Sequence, residues 1–152
     1  VTDTRFASAE DEMFKLIANY AKNGAPVHLG SPLLVRWPGK EEGTPPADKH
    51  WARVSTQTVF SRKVGFVADG VGGRNRNKFE VAGLLFIQLF APRKPGAYED
   101  SKHMGDDLVS ILRKYRSEES LKFVNVRATA LEPEPNFYRI NVVSETEYEQ
   151  LD

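Results

Sequence analysis

The chain has 152 residues, 40% of them hydrophobic and 28% charged, a length and balance that fit one ordinary globular domain and exclude a wholly disordered chain. The 21 basic and 21 acidic residues cancel, so no global charge draws the chain to nucleic acid or to an anionic membrane. The absence of cysteine excludes disulfides, cysteine nucleophiles and thiolate metal sites, and fits a reducing compartment.

Val1-Thr2-Asp3-Thr4-Arg5-Phe6 has no apolar core of a secretory signal. No stretch reaches the ~18 apolar residues of a membrane span. Ser8 is placed as the N-cap of a first helix over residues 9–22, with an acid, Asp11, three places on. Met13, Ile17 and Tyr20 give its apolar stripe, and Asn23-Gly24 its stop. Pro26 and Pro32 bracket an extended connector, and residues 33–37 form a short strand ended by Pro38. Residues 38–49 are polar and rich in Pro and Gly, so they are a loop.

Residues 50–60 alternate as a strand, with Ala52, Val54, Thr56, Thr58 and Phe60 on one face. Residues 62–78, with four glycines and five basic residues, are taken as a second long loop. The strongest strand spans residues 79–91. It is apolar on both faces, so it is expected to be central and covered on both sides, by helices on one and a neighbouring subunit on the other. A second helix over residues 98–115 carries Met104, Leu108, Ile111, Leu112 and Tyr115 as its stripe, with acids first and bases last.

Two strands follow, over residues 121–131 and 137–143. The first is assigned Val124, Val126, Ala128 and Ala130 on one face, and Glu132-Pro133-Glu134-Pro135-Asn136 joins the two as a tight antiparallel turn. Residues 145–152 are expected to be an exposed acidic tail. The result is a single α+β domain over residues 1–152, ordered α-β-β-β-α-β-β. Its sheet is expected to be mixed and mostly antiparallel, with the two main helices on one face.

Signatures of catalysis are missing: the chain has no G-x-S-x-G, H-E-x-x-H or G-x-x-x-x-G-K-[ST]. No catalytic residue, metal site or cofactor is assigned. Glu99, His103 and Asp107 recur at i, i+4 and i+8, where a solvated helix face and a divalent-metal site compete as explanations. Arg62, Lys63, Arg74, Arg76 and Lys78 form a basic set open to three roles: a solvated hairpin tip, a protein contact or a phosphate contact. Glu145, Glu147 and Glu149 are opposite in sign, so head-to-tail pairing between subunits, pairing within the chain and no pairing all fit. Trp51 suits a buried position beside a strand, whereas Trp37, next to Pro38, suits an interface.

Trp51-Ala52-Arg53-Val54 lies on an early strand, and the central strand holds Ala82-Gly83-Leu84-Leu85-Phe86-Ile87-Gln88-Leu89-Phe90-Ala91-Pro92. Gly96, Asp106-Asp107-Leu108 on the helix and the closing Tyr138-Arg139-Ile140-Asn141-Val142 follow in order. In that order and spacing, residues 27–145 resemble the lambda-like tail terminator proteins of tailed bacteriophages. The resemblance implies a structural virion subunit, not an enzyme. It would form a ring, typically hexameric, on the end of the tail tube, stopping tube growth and offering the surface that joins the head connector. The implied partners are further copies of the chain, the tail tube protein and a connector or head-closure protein, with weak contact to DNA in the lumen and none to membrane. The implied place is the phage tail or neck, after assembly in the host cytoplasm. The rival expectations are a head-closure or tail-completion adaptor, a metal-dependent nuclease using Glu99, His103 and Asp107, and a nucleic-acid-binding module using the basic set.

Overall fold

The computed structural model describes residues 4–40, 43–68 and 75–152, leaving out the side chains of Val67, Ala68 and Asn75. The elements run α1 (Phe6–Asn23), α2 (Pro26–Leu29), β1 (Leu34–Arg36), β2 (Trp51–Ala68), β3 (Asn75–Pro92), α3 (Ala97–Lys114), β4 (Lys122–Leu131) and β5 (Phe137–Leu151). The fold is α+β, with one five-stranded sheet ordered β1-β2-β3-β5-β4. β1 pairs with β2 in parallel. The β2–β3, β3–β5 and β4–β5 pairs are antiparallel. No described helix is long and apolar enough to cross a membrane.

Both main helices lie on one face of the sheet, here called inner, because their stripes meet the inward residues of three strands. Met13, Ile17 and Tyr20 of α1 and Met104, Leu108 and Leu112 of α3 share one buried cluster with Val54, Leu85, Ile87, Leu89, Ile140 and Val142. Each such side chain taken out of water contributes roughly 1.5–3 kcal/mol, before the entropy of ordering it. Gly105 faces the sheet on α3: a methyl group there would make ordinary contacts, 3.5 Å from Ile140 and 3.9 Å from Leu89 and Ala128. Polar bonds fix the helices laterally, Thr56 donating to Glu10 at 2.7 Å and Tyr20 to Asp107 at 2.8 Å.

The structure corrects several local expectations. Helix α1 starts at Phe6 with Arg5 as its cap. Ser8 is therefore inside the helix, where its hydroxyl accepts from Arg5 N and donates to Arg5 O. Pro26 opens the one-turn helix α2, since a ring-fixed φ suits a first helical turn. Gly30 ends that turn at φ 76°.

The loop expected over residues 62–78 is instead, in its described part, two strand arms. β2 runs on to Ala68, and β3 begins at Asn75. Residues 69–74, including Arg74, lie outside the described residues. The acidic tail is likewise strand, since β5 continues to Leu151. Thr146 and Tyr148 are buried, and the period of two turns Glu145, Glu147 and Glu149 to the other face.

Bulges explain two wrong face assignments. An irregularity between Thr58 and Phe60 inserts Val59, so Phe60 pairs with Ala82 and leaves the face of Thr58. A second, between Val124 and Arg127, contains Asn125 at φ 53°. It separates exposed Val124 (40%) from buried Val126 (5%).

Candidate interaction surfaces

Strand β3 is central, and helices cover its inner face. No described element of the chain covers the outer one, the side for which the sequence reading offers a neighbouring subunit. Cross-strand register lays out this bare face in rows. Arg53, Gln88, Asn141 and Thr129 form one, and Ser55, Phe86, Val143 and Arg127 the next. Gln57, Leu84, Glu145 and Val124 follow. Its middle is thus apolar, with Phe86 and Leu84 half-buried. One end is closed by a ring cluster in which Trp51 stacks on Phe90 at 3.9 Å and Phe137 meets both edge-on. Trp51 is buried, as its strand position suggests.

The β2–β3 hairpin extends past the helices, with β5 still paired to β3 as far as Lys78. From Val59 to Phe66 every residue is exposed except half-buried Gly65. Val59, Phe60, Val64 and Phe66 are 44–66% exposed. Large apolar side chains grouped on a projecting element mark contact surfaces more often than isolated ones do.

The basic set does not act as one patch. Arg62 pairs across the strands with Glu80 at 3.3 Å and lies over the Phe60 ring. Arg76 donates to Leu151 O at 3.3 Å, and Lys78 pairs with Glu149 at 3.0 Å. Lys63 is exposed on the hairpin. The opposite charges of hairpin and C-terminal strand therefore meet within the chain. Backbone bonds between Asn77 and Asp152 close the same seam. Glu145 accepts from Asn125 at 2.7 Å. Glu147 lies opposite Ala82 and Lys122. Trp37 is half-buried against Phe14, with ring centroids 5.1 Å apart, at the fringe of the core.

Glu99, His103 and Asp107 share a helical face but serve different neighbours. Glu99 pairs with Lys102 at 2.8 Å, and His103 stacks on His28 at 5.8 Å. Asp107 accepts from both Tyr20 and His28, the latter at 2.7 Å. This face abuts α1 and α2 rather than being wholly solvated. Burial, then the bond to Asp107 and its charge, raises the Tyr20 pKa far above the ordinary phenol value. Among the described residues no group of three or more side chains could hold a metal ion.

Two open clefts of about 580 Å³ each border the sheet. One, beside the end of α3, mixes signs, with Arg116, Glu119, Lys122, Glu147 and Glu149. The other opens where β1 ends along β2 and is lined by Arg36, Lys40, Arg53, Trp37, Pro38 and Ser55. No acid stands among the described residues lining it. Arg36 and Arg53 lie 5.5 and 5.4 Å from the Trp51 ring. The sequence reading missed this cluster because its cations lie on separate segments, with Arg36 and Arg53 brought side by side only by the pairing of β1 with β2.

No family model matches the chain, and no curated protein matches it. One solved structure shares the architecture, with a TM-score of 0.57 over 91% of this chain and 94% of that chain at 12% identity. At that identity the likeness concerns the fold alone.

Proposed function

We propose that the protein is a ring-forming structural subunit of a phage tail, a tail terminator that caps the tail tube, stops its growth and presents a surface for the head connector. The observation that carries this reading is the placement of uncovered apolar surface. It lies on the outer face, where Phe86 and Leu84 are half-buried and Val124 is exposed, and on the far end of the β2–β3 hairpin at Val59, Phe60, Val64 and Phe66. Both are extended surfaces suited to docking other subunits. Capping needs this kind of chemistry: one surface complementary to the last tube layer and another that refuses a further tube subunit. The sequence resemblance supplies the tube and the connector as partners, and the virion as location.

A neck adaptor would share these surfaces. Negative-stain electron microscopy of the protein with and without tail tubes tests the reading. Rings, or tubes capped at one end, are expected. A particle that neither forms rings nor binds tube ends would refute it.

A further inference from the structure

We propose that the open edge of β2 just beyond β1 receives the β4 edge of a second copy of this chain, adding it to the sheet as an antiparallel strand. The inference rests on the ring reading above and names the surface by which copies join. β1 covers β2 only at Trp51, Ala52 and Arg53. Past that point the side of β2 away from β3 has no strand partner among the described residues. β4 is the opposite margin of the sheet, paired on one side with β5. An unpaired edge exposes a row of N–H and C=O groups that another strand can satisfy.

Strand direction fits this use. β2 and β5 run one way, β3 and β4 the other. A second copy rotated about an axis along the strands brings its β4 antiparallel to β2, with its helices on the same side as the first copy's. Each copy then gives one edge and receives on the other, a head-to-tail contact that can close into a ring.

The bulges restrict where the edges can meet, because a bulge blunts an edge. Past β1, β2 is regular only up to Thr58, and β4 is regular only from Arg127. Setting Ser55 beside Leu131 and Gln57 beside Thr129 keeps outer side chains outer on both strands. Thr56 and Thr58 then meet the small side chains of Ala130 and Ala128 on the inner face.

Charge agrees with that register. Glu132 follows β4 directly and is exposed. In this register it arrives beside Val54, one place past the end of β1 and next to Lys40 and Arg53 of the cleft. Arg53 lies over the Trp51 and Phe90 rings and has no carboxylate partner among the described residues. The acidic turn of one copy is thus complementary to the cationic cleft of the next.

The test combines sedimentation velocity with cysteine cross-linking in a chain that has no native cysteine. If copies join here, Arg53→Glu and Glu132→Lys each raise the concentration needed for assembly by roughly tenfold or more. The double variant Arg53→Glu/Glu132→Lys restores assembly. Lys40→Glu, on the exposed rim of the cleft, repeats the loss without disturbing the Trp51 stack, and circular dichroism checks that each variant folds. Gln57→Cys/Thr129→Cys gives disulfide-linked ladders on oxidation, whereas the single variants do not. Within one chain those positions are three strand spacings apart, about 14 Å, too far for a disulfide.

Wild-type rings with neither charge sensitivity nor cross-linking would overturn the edge contact and leave the ring reading standing. A wild-type protein that stays monomeric alone and with tail tubes would overturn both.

Discussion

Gly83 sits opposite Thr58 on the central strand, next to the bulge at Val59. A methyl group at this position would lie 2.5 Å from the Gln57 carbonyl oxygen and 3.2 Å from the Thr146 hydroxyl. Ordinary contact begins near 3.4 Å, so the β2 backbone would have to retreat by about 0.9 Å (3.4 minus 2.5). The neighbour is main chain held in a ladder, with no rotamer to relieve the clash. Overpacking of this kind costs roughly 1–3 kcal/mol. The reduced freedom of the unfolded chain returns about 0.4–1 kcal/mol. Gly83→Ala is therefore expected to destabilise by roughly 1–2 kcal/mol, lowering Tm by about 2–8 °C in a domain of this size. Thermal and urea melts followed by circular dichroism measure this directly. An unchanged or raised Tm would refute the argument that close strand approach requires glycine here.

Gly105→Ala should do the opposite. Its methyl group meets Ile140 at an ordinary 3.5 Å in the middle of α3, and helix propensity favours alanine by up to about 1 kcal/mol, so the same melts should show a higher Tm. Asp107→Ala removes the acceptor of Tyr20 and His28 and is expected to cost about 1–3 kcal/mol by urea titration, with Asp107→Asn, which keeps one acceptor oxygen, losing less. The phenol pKa values of Tyr20 and Tyr148 are raised, chiefly by burial, and that of Tyr115 is pushed up to about 12 by burial and then by its bond to Glu12. A raised folded-state pKa gives stability that is complete below about pH 10 and is lost as pH rises through the folded value. Melts between pH 8 and pH 12 at roughly one-unit steps should therefore show a steep alkaline fall, shallower in Tyr115→Phe.

The long periodic segments were legible in sequence because one interaction dominates each. The stripe Met104, Leu108 and Leu112 can be buried by a helix alone, and Leu85, Ile87 and Leu89 by a strand alone. The misread segments are those where composition hid periodicity. Arginine and glycine suggested a loop over residues 62–78, yet Arg62 with Glu80 and Lys78 with Glu149 are cross-strand pairs of a two-sided ribbon. Glu145, Glu147 and Glu149 suggested a solvated tail, but the intervening Thr146 and Tyr148 carried the strand signal. Bulges left no trace at all: Val59 and Asn125 are ordinary strand and turn residues, and tertiary pairing decides that each interrupts a ladder.

The edge contact and the bare outer face belong to one physical problem. A sheet with helices on one side must leave the other wet or cover it with something outside the domain. Phe86, Leu84 and Val143 lie in the middle of that face, although water would favour alternating polar residues on a permanently solvated strand. The open edges raise the same difficulty for the backbone, since their polar groups await either water or another strand. Joining copies through β2 and β4 would satisfy the edge groups, and curving the enlarged sheet would bring the outer faces of several subunits towards a common interior. The bulges at Val59 and Asn125 then have a use: they confine pairing to one short register and keep the exposed end of β2 from Val59 to Phe66 outside it.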